Sequence, residues 1–129
     1  MRAEELKGHL DALLLATLEG GPRHGYAVIE ALRQSTDGRL DLPTGTIYPA
    51  LRRLEQAGLI AGTWSVVGGR RRREYRLTPA GIRALSGRRA AWRDFSATVT
   101  AALESATRVN TALENAALED TACPSPNPA

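Results

Sequence analysis

Sulfur and aromatic chemistry are scarce in this chain. Its 129 residues include one cysteine (Cys123), one methionine and one phenylalanine, and aromatics make up 5%. A lone cysteine excludes an intramolecular disulfide and a structural zinc site built on thiolates, and it fits a reducing compartment. With so few aromatics, Leu, Ala, Val and Ile must fill the core. The 43% hydrophobic content allows this, and it favours helices over a sandwich or barrel. Long apolar runs are also missing: the longest, Ala12 to Leu18, is broken by Thr17 and is far too short to cross a bilayer. No basic segment followed by an apolar stretch and a cleavage site opens the chain. The reading is a cytoplasmic protein without membrane contact.

Histidine is nearly as rare. His9 and His24 fall on different expected elements with no acidic ligand pattern beside them, and no nucleotide-type phosphate loop is present. Catalysis needs a nucleophile with a base, paired carboxylates or a metal, and none of these is spelled out. The chain is therefore read as a non-enzyme with no cofactor and no metal. His24 is expected to bond locally at the start of the second helix.

The remaining residues are leucine, arginine and breakers in an ordered pattern. Leu6, Leu10, Leu13, Leu14 and Leu18 share one helical face, ended by Gly20-Gly21-Pro22. A second helix carries Tyr26, Val28, Ile29 and Leu32 and ends at Asp37-Gly38. A short extended piece, Arg39 to Leu42, follows. The third helix runs from about Thr44 to Ala57 with Ile47, Leu51 and Leu54 inward. Pro49 makes its first turn ambiguous, and an irregular turn around Gly45 and Thr46 is expected. Leu59–Val67 and Arg70–Leu77 read as a hairpin closed by Gly68-Gly69, with Trp64 packing it onto the helices. Thr78 then caps a long helix with Pro79 at its first position. The expected fold is mainly α with a small β-hairpin: a winged helix-turn-helix over 1–78, a C-terminal dimerisation helix over 79–119, and a proline-rich disordered tail over 120–129.

Net charge is only +3, but Arg70, Arg71, Arg72 and Arg73 are consecutive at the expected hairpin tip. Four arginines beside a candidate recognition helix point to a polyanion, with affinity that falls as salt rises. A helix fits the major groove, where base edges are distinguishable. The candidate DNA-contacting residues are therefore Thr44, Thr46, Tyr48, Pro49, Arg52 and Arg53 on the helix and Arg70 to Arg73 on the wing. Tyr48 also has a packing reading. A winged helix that serves only as a protein-interaction module is the main alternative, and RNA is a weaker one because its deep groove excludes side chains.

On the last helix Leu85, Trp92, Val99, Ala106 and Leu113 recur every seven residues, with Phe95, Ala102, Val109 and Ala116 offset by three. This heptad pattern argues for a helix–helix seam roughly 40 Å long. A second copy of the chain is the expected occupant, with Leu6 and Leu10 of the first helix joining the interface; the alternative is a helix that folds back on its own domain with a break near Gly87. A two-fold dimer would present two recognition helices to a palindromic DNA site.

The strings LKGHLDALLLATL, GPRHGYAVIEAL, LPTGTIYPALRRLEQAGLI and GGRRRREYRLTPAG resemble the PadR family of transcription regulators over roughly Leu6 to Trp92. The resemblance implies a repressor with an N-terminal winged helix and a dimerising C-terminus, here of the smaller kind with a single C-terminal helix. It also implies a small aromatic effector in some members, bound where a tryptophan of the C-terminal helix lines the dimer interface. Trp92 falls near that position, with Phe95 and Val99 beside it. Trp92 as a plain seam residue remains the alternative.

Overall fold

The computed structural model describes Leu6 and residues 8–122, and for 106–109 and 118–122 only the backbone. Cys123 and the rest of the proline-rich end lie outside the described residues. The elements are α1 (Leu10–Thr17), β1 (Arg23–His24), α2 (Gly25–Ser35), α3 (Thr44–Gln56), β2 (Ile60–Val67), β3 (Arg70–Leu77) and α4 (Pro79–Ala122). The chain divides into two compact units, one ending at Arg89 and one beginning at Ala90. The opening turns of α4 thus belong to the first unit, beyond the boundary expected at 78. The helix is continuous through Gly87 and runs past 119 to Ala122.

In the first unit, α1, α2 and α3 each give one apolar face to a common core. Leu14, Leu15 and Leu18 meet Val28 and Leu32 of α2 and Ile47, Ala50, Leu51 and Leu54 of α3, all buried. Leu40 and Leu42 enter from the α2–α3 connection, and Ile60 and Tyr75 from the sheet. Truncating a leucine at such a site costs about 2–5 kcal/mol. The α2 stripe differs from expectation at one end: Tyr26 is exposed, so Val28 and Leu32, flanked by Ile29, carry that helix.

The α3 helix starts regularly at Thr44, without the expected irregular turn. The N–H groups of Thr46 and Ile47 both donate to the Pro43 carbonyl, at 3.0 and 3.1 Å. Pro49 lies within the helix. Its missing N–H deprives only the Gly45 carbonyl, and Gly45 is exposed, so water can serve that acceptor. At the other end Gly58 adopts φ +78. Its N–H donates to Glu55 O and that of Leu59 to Leu54 O, both at 3.0 Å. This is a Schellman stop, which turns the chain directly into β2.

The hairpin β2–β3 pairs Val67 with Arg70, so its loop is Gly68-Gly69 alone. Both glycines have positive φ, 59 and 77, as a two-residue primed turn requires. The third strand is not where it was expected. Residues 39–42 form no strand; instead β1, Arg23–His24, pairs antiparallel with Tyr75 and Glu74 of β3, giving the order β1-β3-β2. A two-residue strand has no periodicity to read.

Thr78 joins sheet, α3 and α4. Its N–H donates to Leu59 O at 3.1 Å and its hydroxyl to Gly58 O at 2.6 Å. The same hydroxyl accepts the Gly81 N–H at 3.1 Å, which caps α4.

Two of the expected seam residues are corrected. Leu6 and Leu85 are 6% and 4% exposed and complete the first unit's own core, while Leu10 packs half-buried against it. The opening turns of α4 must cover their own domain, so the heptad register that begins at Leu85 is spent internally there. Apart from Ile82, which is exposed in the first unit, the exposed large apolar residues of α4 start at Trp92.

Candidate nucleic-acid interface

The buried face of α3 fixes what the opposite face shows. With Ile47, Ala50, Leu51 and Leu54 inward, Thr44, Tyr48, Pro49 and Arg52 are exposed, and Thr46 is half-buried. Arg53 is exposed but engaged: its Nη2 donates to Asp11 of α1 at 2.6 Å. It ties α3 to α1 rather than standing free.

Tyr48 is held by a glycine. A Cβ on Gly25, the first residue of α2, would lie 2.7 Å from both Cζ and the hydroxyl oxygen of Tyr48. Only a bare backbone lets the ring lie there. Partial burial, and to a smaller extent the neighbouring Tyr26, push the Tyr48 phenol above its ordinary value of 10.0. It therefore remains a neutral hydroxyl that can donate or accept.

The arginine run is not a cluster at the tip. The two glycines form the tip, and the four arginines run down β3 with alternating faces. Register places Arg73 opposite Trp64 and Arg71 opposite Val66 on one face, and Arg72 opposite Ser65 and Arg70 opposite Val67 on the other. Arg70, Arg71 and Arg72 are exposed. Arg73 is instead structural: its guanidinium is ion-paired with Glu55 of α3, whose Oε2 also accepts the Gly62 N–H of β2 at 3.2 Å. Trp64 does not pack onto the helices. It is 58% exposed, and the guanidinium carbons of Arg71 and Arg73 lie 4.7 and 5.4 Å from its ring centroid. Stacking of this kind restricts Arg71 before any ligand arrives.

The opposite face of β3 meets α2. Arg72 Nη1 lies 3.2 Å from Nε2 of His24, whose Nδ1 accepts the Ala27 N–H at 3.3 Å and caps α2. A cleft of about 380 Å³ opens among His24, Gly25, Tyr26, Tyr48 and the four wing arginines, with no acidic residue in its lining. It sets the expected helix residue Tyr48 and the wing arginines beside His24, which caps α2, and Gly25 and Tyr26 of its first turn, none of which the sequence had marked as part of this surface.

In the second unit, Trp92, Phe95, Val99 and Leu103 follow one another at helical spacing and are all exposed, as is Leu113. The Trp92 and Phe95 rings are 6.1 Å apart with planes at 38°. Leu103 extends the stripe beyond the heptad positions read from sequence. The side chains of Ala106 and Val109 lie outside the described residues. Among the described residues no cluster of histidine, cysteine and carboxylates could hold a metal, and no helix is long and apolar enough to cross a membrane.

Helices braced on a three-stranded sheet, with arginines along the hairpin flanking an exposed α3 face, define a winged helix-turn-helix of the DNA-binding type. Residues 14–87 match the profile of the transcriptional regulator PadR-like family, and the chain belongs to that family, whose members are regulators and not enzymes. Over 64 residues it is 45% identical to the transcriptional regulator Rv3488 of Mycobacterium tuberculosis, covering 50% of this chain and 47% of that protein. Among solved structures, a PadR family transcriptional regulator from Eggerthella lenta superposes with a TM-score of 0.69 at 35% identity, covering 78% of this chain and 87% of that one. A transcriptional regulator from Clostridium thermocellum superposes at 0.70 with 28% identity, over 76% of this chain and 96% of that one.

Proposed function

We propose that the chain is a homodimeric repressor that binds a palindromic operator in double-stranded DNA and is released by a small aromatic ligand held between subunits. One observation carries the DNA part: the exposed α3 residues Thr44, Tyr48 and Arg52 are accompanied by exposed Arg70, Arg71 and Arg72 of the wing, with Tyr48, Arg70, Arg71 and Arg72 lining one cleft free of acidic groups. The helix supplies hydroxyls and a guanidinium to base edges, and the wing supplies charge to phosphates. The apolar stripe from Trp92 through Val99 to Leu113 supports the dimer, because a lone soluble helix gains nothing by exposing it. Trp92 and Phe95, stacked at an angle on that stripe, offer a planar ligand two aromatic surfaces. Such a ligand would release DNA by binding unequally to two subunit arrangements. Family membership supports a role in transcription regulation, and repression is the direction that the resemblance of the sequence to PadR regulators implies.

The deciding experiment is fluorescence anisotropy with a duplex from upstream of the protein's own gene and a scrambled control, at two salt concentrations. Tight, salt-sensitive binding to the native duplex alone is expected. Equal binding to both would remove the operator from the proposal, and no binding at either salt would leave an interaction module. Quenching of Trp92 by planar aromatics, read in a Trp64→Phe background, tests the ligand.

A further inference from the structure

His24 faces two demands that its neutral ring cannot meet together. Nδ1 accepts the Ala27 N–H at 3.3 Å, and Nε2 lies 3.2 Å from Nη1 of Arg72. A guanidinium only donates, and a neutral imidazole carries one N–H. If Nδ1 accepts, the proton sits on Nε2, and two donors point at each other across 3.2 Å. If the proton moves to Nδ1, Nε2 can accept from Arg72, but the α2 cap is lost. The charged ring, with both nitrogens protonated, satisfies neither partner.

An acceptor oxygen reached by both groups removes the conflict. It takes the Nε2–H and the Arg72 N–H, while Nδ1 keeps the cap. We propose that the cleft beside His24 Nε2 is the seat of one DNA backbone phosphate, which the exposed Arg72 side chain turns away from the imidazole to share, and that His24 occupies its Nε2–H form when that phosphate is bound. This rests on the DNA-binding reading above and deepens it.

The surroundings suit an anion. The cleft here is lined by Arg70 and Arg71 as well as Arg72, and by no carboxylate, while the charge of Arg73 in the same lining is met by Glu55. The nearest acidic residue in the sheet, Glu74, is paired in register with His24, and its Oε2 accepts from the Ser65 hydroxyl at 3.3 Å. Tyr48, in the same lining, is held neutral and can add a third donor. The position favours a phosphodiester over a base edge. It joins α2 to the wing at the side of α3, where backbone contacts set register while α3 reads bases.

The test uses the full chain labelled with ¹⁵N in its imidazoles, which number only two, His9 and His24. A His9→Gln variant assigns the spectrum. Long-range ¹H–¹⁵N correlations are recorded for the free protein, with a mixed-sequence 24-base-pair duplex at low salt, and with sodium phosphate at the same ionic strength. Expected with the duplex alone is a shift of His24 to the single Nε2–H form. His24→Asn keeps a capping oxygen but lacks the reach of the imidazole, and should bind the duplex about fivefold more weakly. A duplex that binds while the His24 nitrogens stay unchanged overturns the phosphate seat but leaves DNA binding standing. The same shift produced by inorganic phosphate overturns the backbone as its source. Failure of any duplex to bind at low salt overturns the DNA reading and the seat together.

Discussion

Glu55 on α3 and Arg73 on β3 form an ion pair that fastens the wing to the candidate recognition helix, and the same carboxylate accepts the Gly62 N–H of β2. A Cβ at Gly62 would lie 2.7 Å from Arg73 Nε and 2.8 Å from Glu55 Oε2, so the glycine keeps the space for this pairing. The Glu55 partnership holds the Arg73 guanidinium above its ordinary value, so the pair persists at any pH at which the carboxylate is ionised. Glu55→Gln keeps an acceptor for Gly62 but frees Arg73. DNA affinity should then fall about tenfold, the cost of ordering one or two long side chains on binding. The slope of log affinity against log salt should barely change, because Arg70, Arg71 and Arg72 remain. Anisotropy titrations across salt check both parts; a slope that falls with the affinity would mean that Glu55 acts on phosphate contacts directly.

That pairing also shows what the sequence could and could not disclose. Ile47, Leu51 and Leu54 on α3, the Gly68-Gly69 turn and the Thr78 cap were all legible, because each depends on local periodicity or on one residue's backbone chemistry. The partnership of Glu55 with Arg73 was not, because it joins residues eighteen apart through a register that only the folded hairpin sets. The strand Arg23–His24 was invisible for a related reason: its two residues carry no pattern, and it exists only because β3 offers an edge. Leu85 fitted a heptad as well as Trp92 does, and periodicity alone cannot tell whether a helix face is covered from within the chain or by a partner.

The Gly25–Tyr48 contact predicts a separation of stability from binding. Alanine is the better helix residue by about 0.5–1 kcal/mol, and Gly25 has no positive φ to lose. Gly25→Ala should therefore leave thermal stability unchanged or slightly raised. Its Cβ would displace the Tyr48 ring, and DNA affinity should drop several-fold. The double variant Gly25→Ala, Tyr48→Ala should bind no worse than Tyr48→Ala alone, since both changes act on one contact. Additive losses would place Gly25 in an independent role.

The wing arginines should divide into two kinds. Replacing Arg70, Arg71 and Arg72 together by alanine removes exposed charge and should lower the salt slope by about 2.7 at most, from ~0.9 per phosphate contact, with the melting temperature nearly unchanged. Arg73→Ala alone should lower the melting temperature, because it strips Glu55 of its partner, and change the slope least. Parallel melts and salt titrations of the two variants check this. Equal effects on the slope per arginine would return Arg73 to the contact surface.

Glu19 and Arg89 give a pH signature. Both terminal guanidinium nitrogens of Arg89 donate to the Glu19 carboxylate at 3.0 Å, and this hydrogen bonding, then the charge of Arg89, lowers the Glu19 pKa below its ordinary value of 4.5. The folded state thus holds this proton less tightly than the unfolded chain. The stabilisation is complete above 4.5 and is lost as pH falls through the lowered value. The Arg89 and Glu19 side chains are 38% and 54% exposed, so the effect is small and screened by salt. At low ionic strength Glu19→Gln should melt slightly below the wild type at neutral pH, and the two curves should converge in acid. A constant offset at every pH would assign the difference to packing.

Dimer formation along α4 makes the remaining prediction, and the corrected burial sharpens where to look. Leu85 is core, so Leu85→Asp should unfold the first unit and say nothing about association. Val99, 38% exposed, and Leu113, 64% exposed, belong to the second unit and can be changed without touching the winged-helix core. Val99→Asp places two carboxylates at a two-fold seam, where burial and like-charge repulsion both oppose pairing. Light scattering at micromolar concentration should show the wild type as a dimer and Val99→Asp shifted towards monomer, with the melting of the first unit preserved. Operator affinity should fall with dimer content, because a monomer can engage only one half-site of a palindrome. Val99→Ala should retain most of the dimer, which separates charge from lost area. If Val99→Asp remains a dimer and binds DNA normally, the association surface lies elsewhere on the chain and the aromatic stripe of Trp92 and Phe95 serves another occupant.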